Sequence, residues 1–576
     1  MEVPTYDVLI VGGGLAGIRA AIAAVSIDPR LKIALVSKVY PMRSHTVSAE
    51  GGCAAVLREP DSFDGHAFDT VKGSDYLADQ DVVEIFVREA PLEVIQLEHW
   101  GCPWSREPDG SISVRPFGGM TTWRTCFAAD KSGFHMLHTV FQTSLQHEQI
   151  HRYDEFFVTS LIAEDGRCEG VVGFDIRSGE VQSLAARAVI LATGGNGRLF
   201  AFTTNGNICT GDGMALAYRA GVGLKDMEFV QFHPTGMPST GILITEAVRG
   251  EGGYLINADG DRFLSRYVPT KMELGPRDII SRAMVTEFEA GRGFHSSYGD
   301  YMHLDVRHLG ERVIDQKLPF MRELGREYMG IDIVRDPIPV RPVEHYMMGG
   351  IDADASGATP LPGLYAAGEC ANVGLNGANR LGSNSLPECL VFGAAAGRAA
   401  ARYACDSRPP TANPIAGLAR DERRRLVTTY LERDGGDQRV GEIREDLQRF
   451  MDRGGPAPAH RRAGRAQAAI RPGSPGRSQP HVQHRAGVGA RARVHARWGR
   501  GDRVLRAGAG GVSRLSRPPR LPRARRQPLP GAHPRLPPAG SAPPARVPAR
   551  PHHELAAPGP HLLKTKSRRI GWQESR

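Results

Sequence analysis

Side chains able to do chemistry recur through the first 400 residues in short polar segments. Arg43-Ser44-His45-Thr46-Val47-Ser48-Ala49-Glu50-Gly51-Gly52 sets a nucleophilic imidazole among small residues. Its two glycines let the backbone run close against a flat cofactor. Taken alone, His45 reads first as an ordinary surface or hydrogen-bonded histidine. Further on stand His233, Thr245, His345 and Arg380. Arg380 offers a planar fork for a carboxylate and the other three offer hydrogen-bond donors, a set that suits the two ends of a four-carbon diacid. Arg277, in Gly275-Pro276-Arg277-Asp278, reads equally as a further carboxylate clamp, a surface ion pair or an acid. Free arginine titrates near or above about 12, so acid work would need its proton re-supplied. Glu246 and Arg249, in Thr245-Glu246-Ala247-Val248-Arg249-Gly250-Glu251-Gly252-Gly253, could form that relay.

These residues need a scaffold that brings distant positions together. Tyr6–Val11 is a short β-forming run leading into Gly12-Gly13-Gly14-Leu15-Ala16-Gly17 and a helical Ala/Ile pattern over Ile18–Val25. Gly12, Gly14 and Gly17 supply the G-x-G-x-x-G spacing, which places a pyrophosphate at a helix N-terminus. The pattern is weak in isolation and strong where it follows a strand and opens a helix. A second strand, Leu31–Val36, ends in Ser37-Lys38 rather than the acid that NAD ribose would require. Either the ribose meets the Ser37 hydroxyl or the ligand differs from NAD. Arg187–Gly195 and Leu364–Glu369 read as further strands of the same sheet, ending in small residues. More than 350 residues separate the glycine loop from Glu369, so something large is inserted between them.

Composition divides the chain. Residues 453–576 hold 25 Arg and 2 Lys against three acids, a net of +24, whereas the preceding 452 residues hold 45 bases and 60 acids, a net of −15. Eight cysteines, none in a Cys-x-x-Cys pair, argue against an iron–sulfur or zinc site and fit a reducing compartment. No apolar run approaches the roughly 20 residues that span a bilayer, and no secretory signal opens the chain.

Five motifs then occur in order: His233-Pro234-Thr235-Gly236, the Thr245–Gly253 segment, Gly275–Asp278, His345-Tyr346-Met347-Met348-Gly349-Gly350, and Gly377-Ala378-Asn379-Arg380-Leu381-Gly382-Ser383-Asn384-Ser385-Leu386. Together with the His45 strip they resemble the succinate dehydrogenase/fumarate reductase flavoprotein family, from residue 6 to about residue 400. The resemblance implies an α/β fold: a Rossmann-like FAD-binding domain over 1–235 and 343–405, interrupted by an α+β capping domain over 236–342. A remnant of a helical domain would follow over 406–453. It implies FAD bound covalently through His45, with Gly12, Gly13, Gly14, Gly17, Ser37, Lys38, Ser44, Thr46, Ala49, Gly51, Gly52, Asp212, Glu369, Ser385 and Leu386 around it. His233, Thr245, His345 and Arg380 would bind the carboxylates of fumarate or succinate. Arg277 would transfer the proton, supplied through Glu246 and Arg249, with no metal. Electrons would pass through a separate iron–sulfur subunit docked on membrane anchor subunits that exchange with quinone, at the cytoplasmic face of the cell membrane.

Glu50 bears on direction, since similar succinate dehydrogenases usually carry glutamine there and quinol-fumarate reductases glutamate. Fumarate reduction is therefore the expected direction, with succinate oxidation, an L-aspartate oxidase and an inactive FAD-binding remnant as alternatives. The aspartate oxidases lack a histidine matching His45. From residue 454 the chain is Arg, Pro, Ala, Gly and His, with 19 of the 41 prolines and no lasting apolar stripe. Such a tail is expected to be disordered. It lacks the interleaved aromatics of a nucleic-acid binder, and since Arg, Pro, Ala and Gly have GC-rich codons, its composition fits a reading frame shifted near residues 450–457 of a GC-rich gene. Translating the other frames of the gene tests that.

Overall fold

A computed structural model of the chain describes residues 3–410, 412–432 and 439–454. A seven-stranded sheet lies at its centre. Thr5–Val11 pairs in parallel with Ile33–Ser37 on one side and with Val181–Leu191 on the other, and Ile33–Ser37 continues to Ile150–Asp154. Continuous apolar runs such as Val8-Leu9-Ile10-Val11, all buried, suit strands covered on both faces. Leu364–Ala366 joins the C-terminal half of Val181–Leu191 in parallel, so the sheet is completed by chain from beyond the insertion. The N-terminal half of Val181–Leu191 instead belongs to an antiparallel meander with Arg167–Asp175 and Phe156–Glu164.

Helix Leu15–Ile27 follows the glycine loop and packs on the long helix Ser385–Asp406. Glycine permits that approach: a Cβ at Gly397 would lie 2.2 Å from the Ala20 carbonyl oxygen. The two helices therefore bring Gly14 and Ser385, each at a helix start, to one end of the sheet.

The chain leaves through strand Val230–Gly236 and returns through Ile338–Met347, which pair antiparallel. Gly299–Asp305, Tyr254–Ile256 and Phe294–Ser296 complete this five-stranded sheet. Beside it a separate apolar core gathers Phe263, Leu264, Ile280, Met284, Met302 and Ile338. Pro234 sits inside the exit strand, where the register shifts between His233 and Gly236, the kind of bulge that tolerates proline.

After Ser385–Asp406 come helices Ala412–Leu426 and Val440–Gly454, with Ile415 buried against Ile162, Val172 and Ala185. The expected frame shift near residues 450–457 begins within helix Val440–Gly454, and the rest of the tail expected to be disordered, residues 455–576, lies outside the described residues. Among the described residues no helix is long and apolar enough to cross a membrane.

Candidate functional site

One cleft runs from the glycine loop to the exit and return strands of the insertion. Its wall carries every residue named above as a cofactor, substrate or proton-transfer candidate except Gly17 and Arg249. Gly17 faces inward instead, where a Cβ would lie 1.9 Å from the Gly12 carbonyl oxygen, so it serves close packing of helix on loop. Arg249 is fully buried behind Glu246.

At the nucleotide end, Gly12 has φ +126°, and a Cβ there would lie 2.0 Å from the Ala192 carbonyl oxygen. Helix Leu15–Ile27 starts at Gly14, which has no side chain to cap it; the Leu15 N–H donates to Thr46 Oγ1 at 3.3 Å, and the other N–H groups of the first turn are left for a phosphate. Lys38 Nζ donates to Asp212 at 2.5 Å and to Thr210 Oγ1 at 2.8 Å, which ties the end of the second strand to helix Asp212–Arg219. Glu369 accepts from the Met347 N–H at 3.1 Å, and burial pushes its carboxyl up to about 7.

His45 opens a single 3-10 turn, His45–Ser48. The Gly206 N–H donates to its Nδ1 at 3.3 Å. Burial, with the Arg198 charge adding to it, depresses this imidazole to about 4. Arg115 donates to the Glu50 and Gly51 carbonyls and lies over Phe127, 4.4 Å from the ring centre. Glu50 is buried, and its carboxyl is raised well above the ordinary range by burial and by Asp130.

At the other end, exit and return strands bring the His233 and His345 rings to 5.0 Å between centres. Burial and the neighbouring guanidinium groups hold both imidazoles neutral, so they act as hydrogen-bonding groups rather than cations. The Thr235 N–H donates to His233 Nδ1 at 3.2 Å, which leaves the proton of the neutral ring on Nε2. Thr204 Oγ1 lies 2.8 Å from His345 Nδ1.

Arg277 opens helix Arg277–Glu289 immediately after Pro276. Its Nε donates to Glu246 at 2.7 Å, and Glu246 lies 3.5 Å from Arg249. Burial alone would lift Glu246, but Arg277 and Arg249 outweigh it and keep the carboxyl below its usual range. Arg249 is shifted downward by burial and donates to the Glu273 carbonyl. Arg380 is likewise lowered, to about 10, by burial and by Arg277.

Gln231 is the residue to which sequence reading gave no role. Arg277 Nη1 and Arg380 Nη2 donate to the same Gln231 Oε1, at 3.0 and 2.9 Å. The amide nitrogen donates to Asn379 Oδ1 and the Arg380 carbonyl, both at 2.7 Å, which fixes its orientation. Two positive groups, one from within the insertion and one from beyond it, are thus held side by side. Its place two residues before His233 on one strand was the available signal.

Five buried polar atoms on the cleft wall have no partner among the described residues: Ser44 Oγ, Glu50 Oε2, His233 Nε2, Arg380 Nε and Ser383 Oγ. Buried polar atoms are normally satisfied. Their convergence along a glycine-lined cleft fits a long polar cofactor with a small anion at its end. Among the described residues there is no cluster of metal-ligating groups.

The buried carboxyls set a pH dependence. Glu369 at about 7 and Glu344 at about 8 both lie above the ordinary 4.5, because burial disfavours their charged forms. Stability from such groups is complete below the unfolded value and lost as pH rises through the folded ones. The melting temperature of the cofactor-free chain should therefore fall between about pH 6 and about pH 9. A flat or rising profile over that interval would mean that these carboxyls are not held neutral.

The FAD binding domain family matches residues 7–386. The chain is 58% identical over 459 residues to the fumarate reductase flavoprotein subunit of Mycobacterium tuberculosis (strain CDC 1551 / Oshkosh), covering 78% of this chain and 79% of that one. It is 42% identical over 468 residues to the succinate dehydrogenase flavoprotein subunit of Rickettsia bellii, covering 77% of each. A mutant structure of E. coli quinol fumarate reductase superposes with a TM-score of 0.76 at 50% identity, covering 78% of this chain and 79% of that one.

Proposed function

The chain belongs to the FAD-binding flavoprotein subunits of the fumarate reductase/succinate dehydrogenase family, oxidoreductases acting on CH–CH groups, and from that premise we propose that it reduces fumarate to succinate. The observation that carries this reading is the convergence of Arg277 and Arg380 on Gln231, beside two neutral histidines, at one end of a cleft that suits FAD. Bound FAD would supply hydride from N5 to one alkene carbon.

The chain's own residues do the rest. Arg380 grips one carboxylate with its fork, while His233 Nε2, Thr245 and His345 donate hydrogen bonds, and together they twist the diacid. Arg277 protonates the neighbouring carbon, and Glu246 with Arg249 returns a proton to it. Closure of the 236–342 segment as a capping domain excludes water and completes the constellation. The FAD-binding domain then comprises 1–235 and 343–405, followed by the helical remnant 406–453.

His45 holds the flavin covalently. The Gly206 N–H occupies Nδ1, so Nε2 is the nitrogen left for the bond. Buried Glu50 and the higher identity to fumarate reductase than to succinate dehydrogenase subunits favour the reductive direction. Electrons arrive from a separate iron–sulfur subunit, itself seated on membrane anchor subunits that exchange with quinone at the cytoplasmic face.

Denaturing electrophoresis under ultraviolet light tests the cofactor assignment. The wild-type band should fluoresce and the His45→Ser band should not, with FAD then released by denaturation. Flavin that washes off the wild type would turn the reading toward an aspartate oxidase or an inactive remnant.

A further inference from the structure

Glu344 is a buried carboxyl to which the catalytic reading assigns nothing. It is fully enclosed, immediately before His345 on the return strand. Its side chain accepts from the Thr203 hydroxyl and, at 3.3 Å, from Asn205 Nδ2. Its backbone joins the same loop: Glu344 N–H donates to the Phe202 carbonyl at 3.0 Å, and Thr204 N–H donates to the Glu344 carbonyl at 2.9 Å. Thr203 Oγ1 also takes the Asn205 N–H at 2.9 Å, and Asn205 Nδ2 reaches the His345 carbonyl at 3.0 Å. The space is shaped for this carboxyl, since a Cβ on Gly197 would lie 2.2 Å from Glu344 Oε2.

The loop so fixed touches both histidines of the site. Thr204 Oγ1 lies 2.8 Å from His345 Nδ1, and two residues on the Gly206 N–H donates to His45 Nδ1. One five-residue segment thus addresses the flavin-attachment and carboxylate-binding imidazoles, each through Nδ1. In a neutral imidazole the hydrogen bond at one nitrogen decides what the other can do. We propose that Glu344 is a positioning residue that clamps the 202–206 loop and so presents Nε2 of His45 to the flavin and orients His345 toward a substrate carboxylate. This rests on the roles given above to His45 and His345. Burial pushes the Glu344 carboxyl up to about 8, so near neutral pH it resembles an amide, with one acceptor and one donor.

The test uses the full chain as wild type, Glu344→Gln, Glu344→Leu and Thr203→Val. Covalent flavin per chain is read from in-gel fluorescence against total protein, and KM and kcat for fumarate with a reduced viologen as donor. Glu344→Gln should keep the wild-type covalent fraction and KM. Glu344→Leu and Thr203→Val should lower the covalent fraction and raise KM, each by about tenfold, less than the roughly 10²-fold that a full 1 Å misplacement of a reacting group can cost. A folded Glu344→Leu protein with wild-type flavinylation and KM would overturn the proposal. If that variant does not fold, Thr203→Val decides by the same two readings, since it removes the hydroxyl and leaves the carboxyl in place. A wild-type band without fluorescence would count against His45 as the attachment point. The fumarate KM, which runs through His345, then decides the loop's role alone, a rise supporting the clamp and no change refuting it.

Discussion

Replacing Arg277 by glutamine should lower kcat for fumarate by about 10²- to 10⁴-fold, the range for loss of a positioned acid, while changing KM by less than about tenfold. The geometry distinguishes this from loss of a clamp. Arg277 is bound on one edge by Glu246 and on another by Gln231, leaving one face of the guanidinium for the cleft. Glutamine keeps much of the volume and removes the transferable proton. Glu246 retains the Gly118 N–H at 2.5 Å and Arg249 beside it, so its charge is not stranded and the protein should fold. Lysine should not rescue, because one ammonium cannot meet Glu246 and Gln231 in the two directions the fork does. Arg380→Gln is the contrast: if this residue serves chiefly to grip a carboxylate, its loss should show more in KM than in kcat. The Glu246→Gln variant should follow Arg277→Gln in kcat, since it interrupts re-supply of the same proton. A variant at Arg277 that loses only substrate affinity would make it a further carboxylate clamp and leave the acid unidentified.

The parts of this site legible in sequence are those that local backbone requirements write into short stretches. The glycine loop declares itself because a tight turn and a helix start demand glycine at fixed spacing, and φ +126° at Gly12 is that demand made visible. The His45 strip and the Asn379–Leu386 segment are similarly local. Element limits were less legible. The strand containing Arg187–Leu191 begins earlier, at Val181, because its first half pairs with an antiparallel meander, for which the Asp165-Gly166 hairpin turn was the available signal. Leu31 reads as strand by apolarity but is buried in the turn before Ile33–Ser37. Gln231 and Glu344 were illegible for a different reason. Each acts through partners more than 40 residues away, and beyond the place of Gln231 two residues before His233 nothing nearby in sequence distinguishes a bridging amide or clamping carboxyl from an ordinary strand residue.

A second large effect is expected far from the reacting atoms. Arg124 has no exposed surface, and its guanidinium is shared between two buried carboxylates: Nη2 to Asp61 at 2.9 Å and Nη1 to Asp69 at 2.6 Å. Asp69 also accepts from the backbone and hydroxyl of Thr121, at 2.8 and 2.9 Å. Arg124→Met should cost about 3–5 kcal/mol, because it leaves buried charge uncompensated while nearly preserving volume. That is a large share of a typical total of roughly 5–15 kcal/mol. The same helix that carries Asp69, Phe63–Gly73, also carries His66 and Thr70, between which Asn384 is hydrogen-bonded at 3.1 Å on each side. Asn384 separates Ser383 and Ser385, both on the cleft wall, so loss of Arg124 should lower the fraction of chains that acquire flavin as well as stability. Adding Asp61→Asn and Asp69→Asn to Arg124→Met should restore more than half of the lost stability, because the amides still accept hydrogen bonds but carry no charge. Urea unfolding of the single and triple variants measures both numbers. A single variant less than about 1 kcal/mol below wild type, within the range of an exposed ion pair, would mean that water reaches these carboxylates and that the network does not hold the wall.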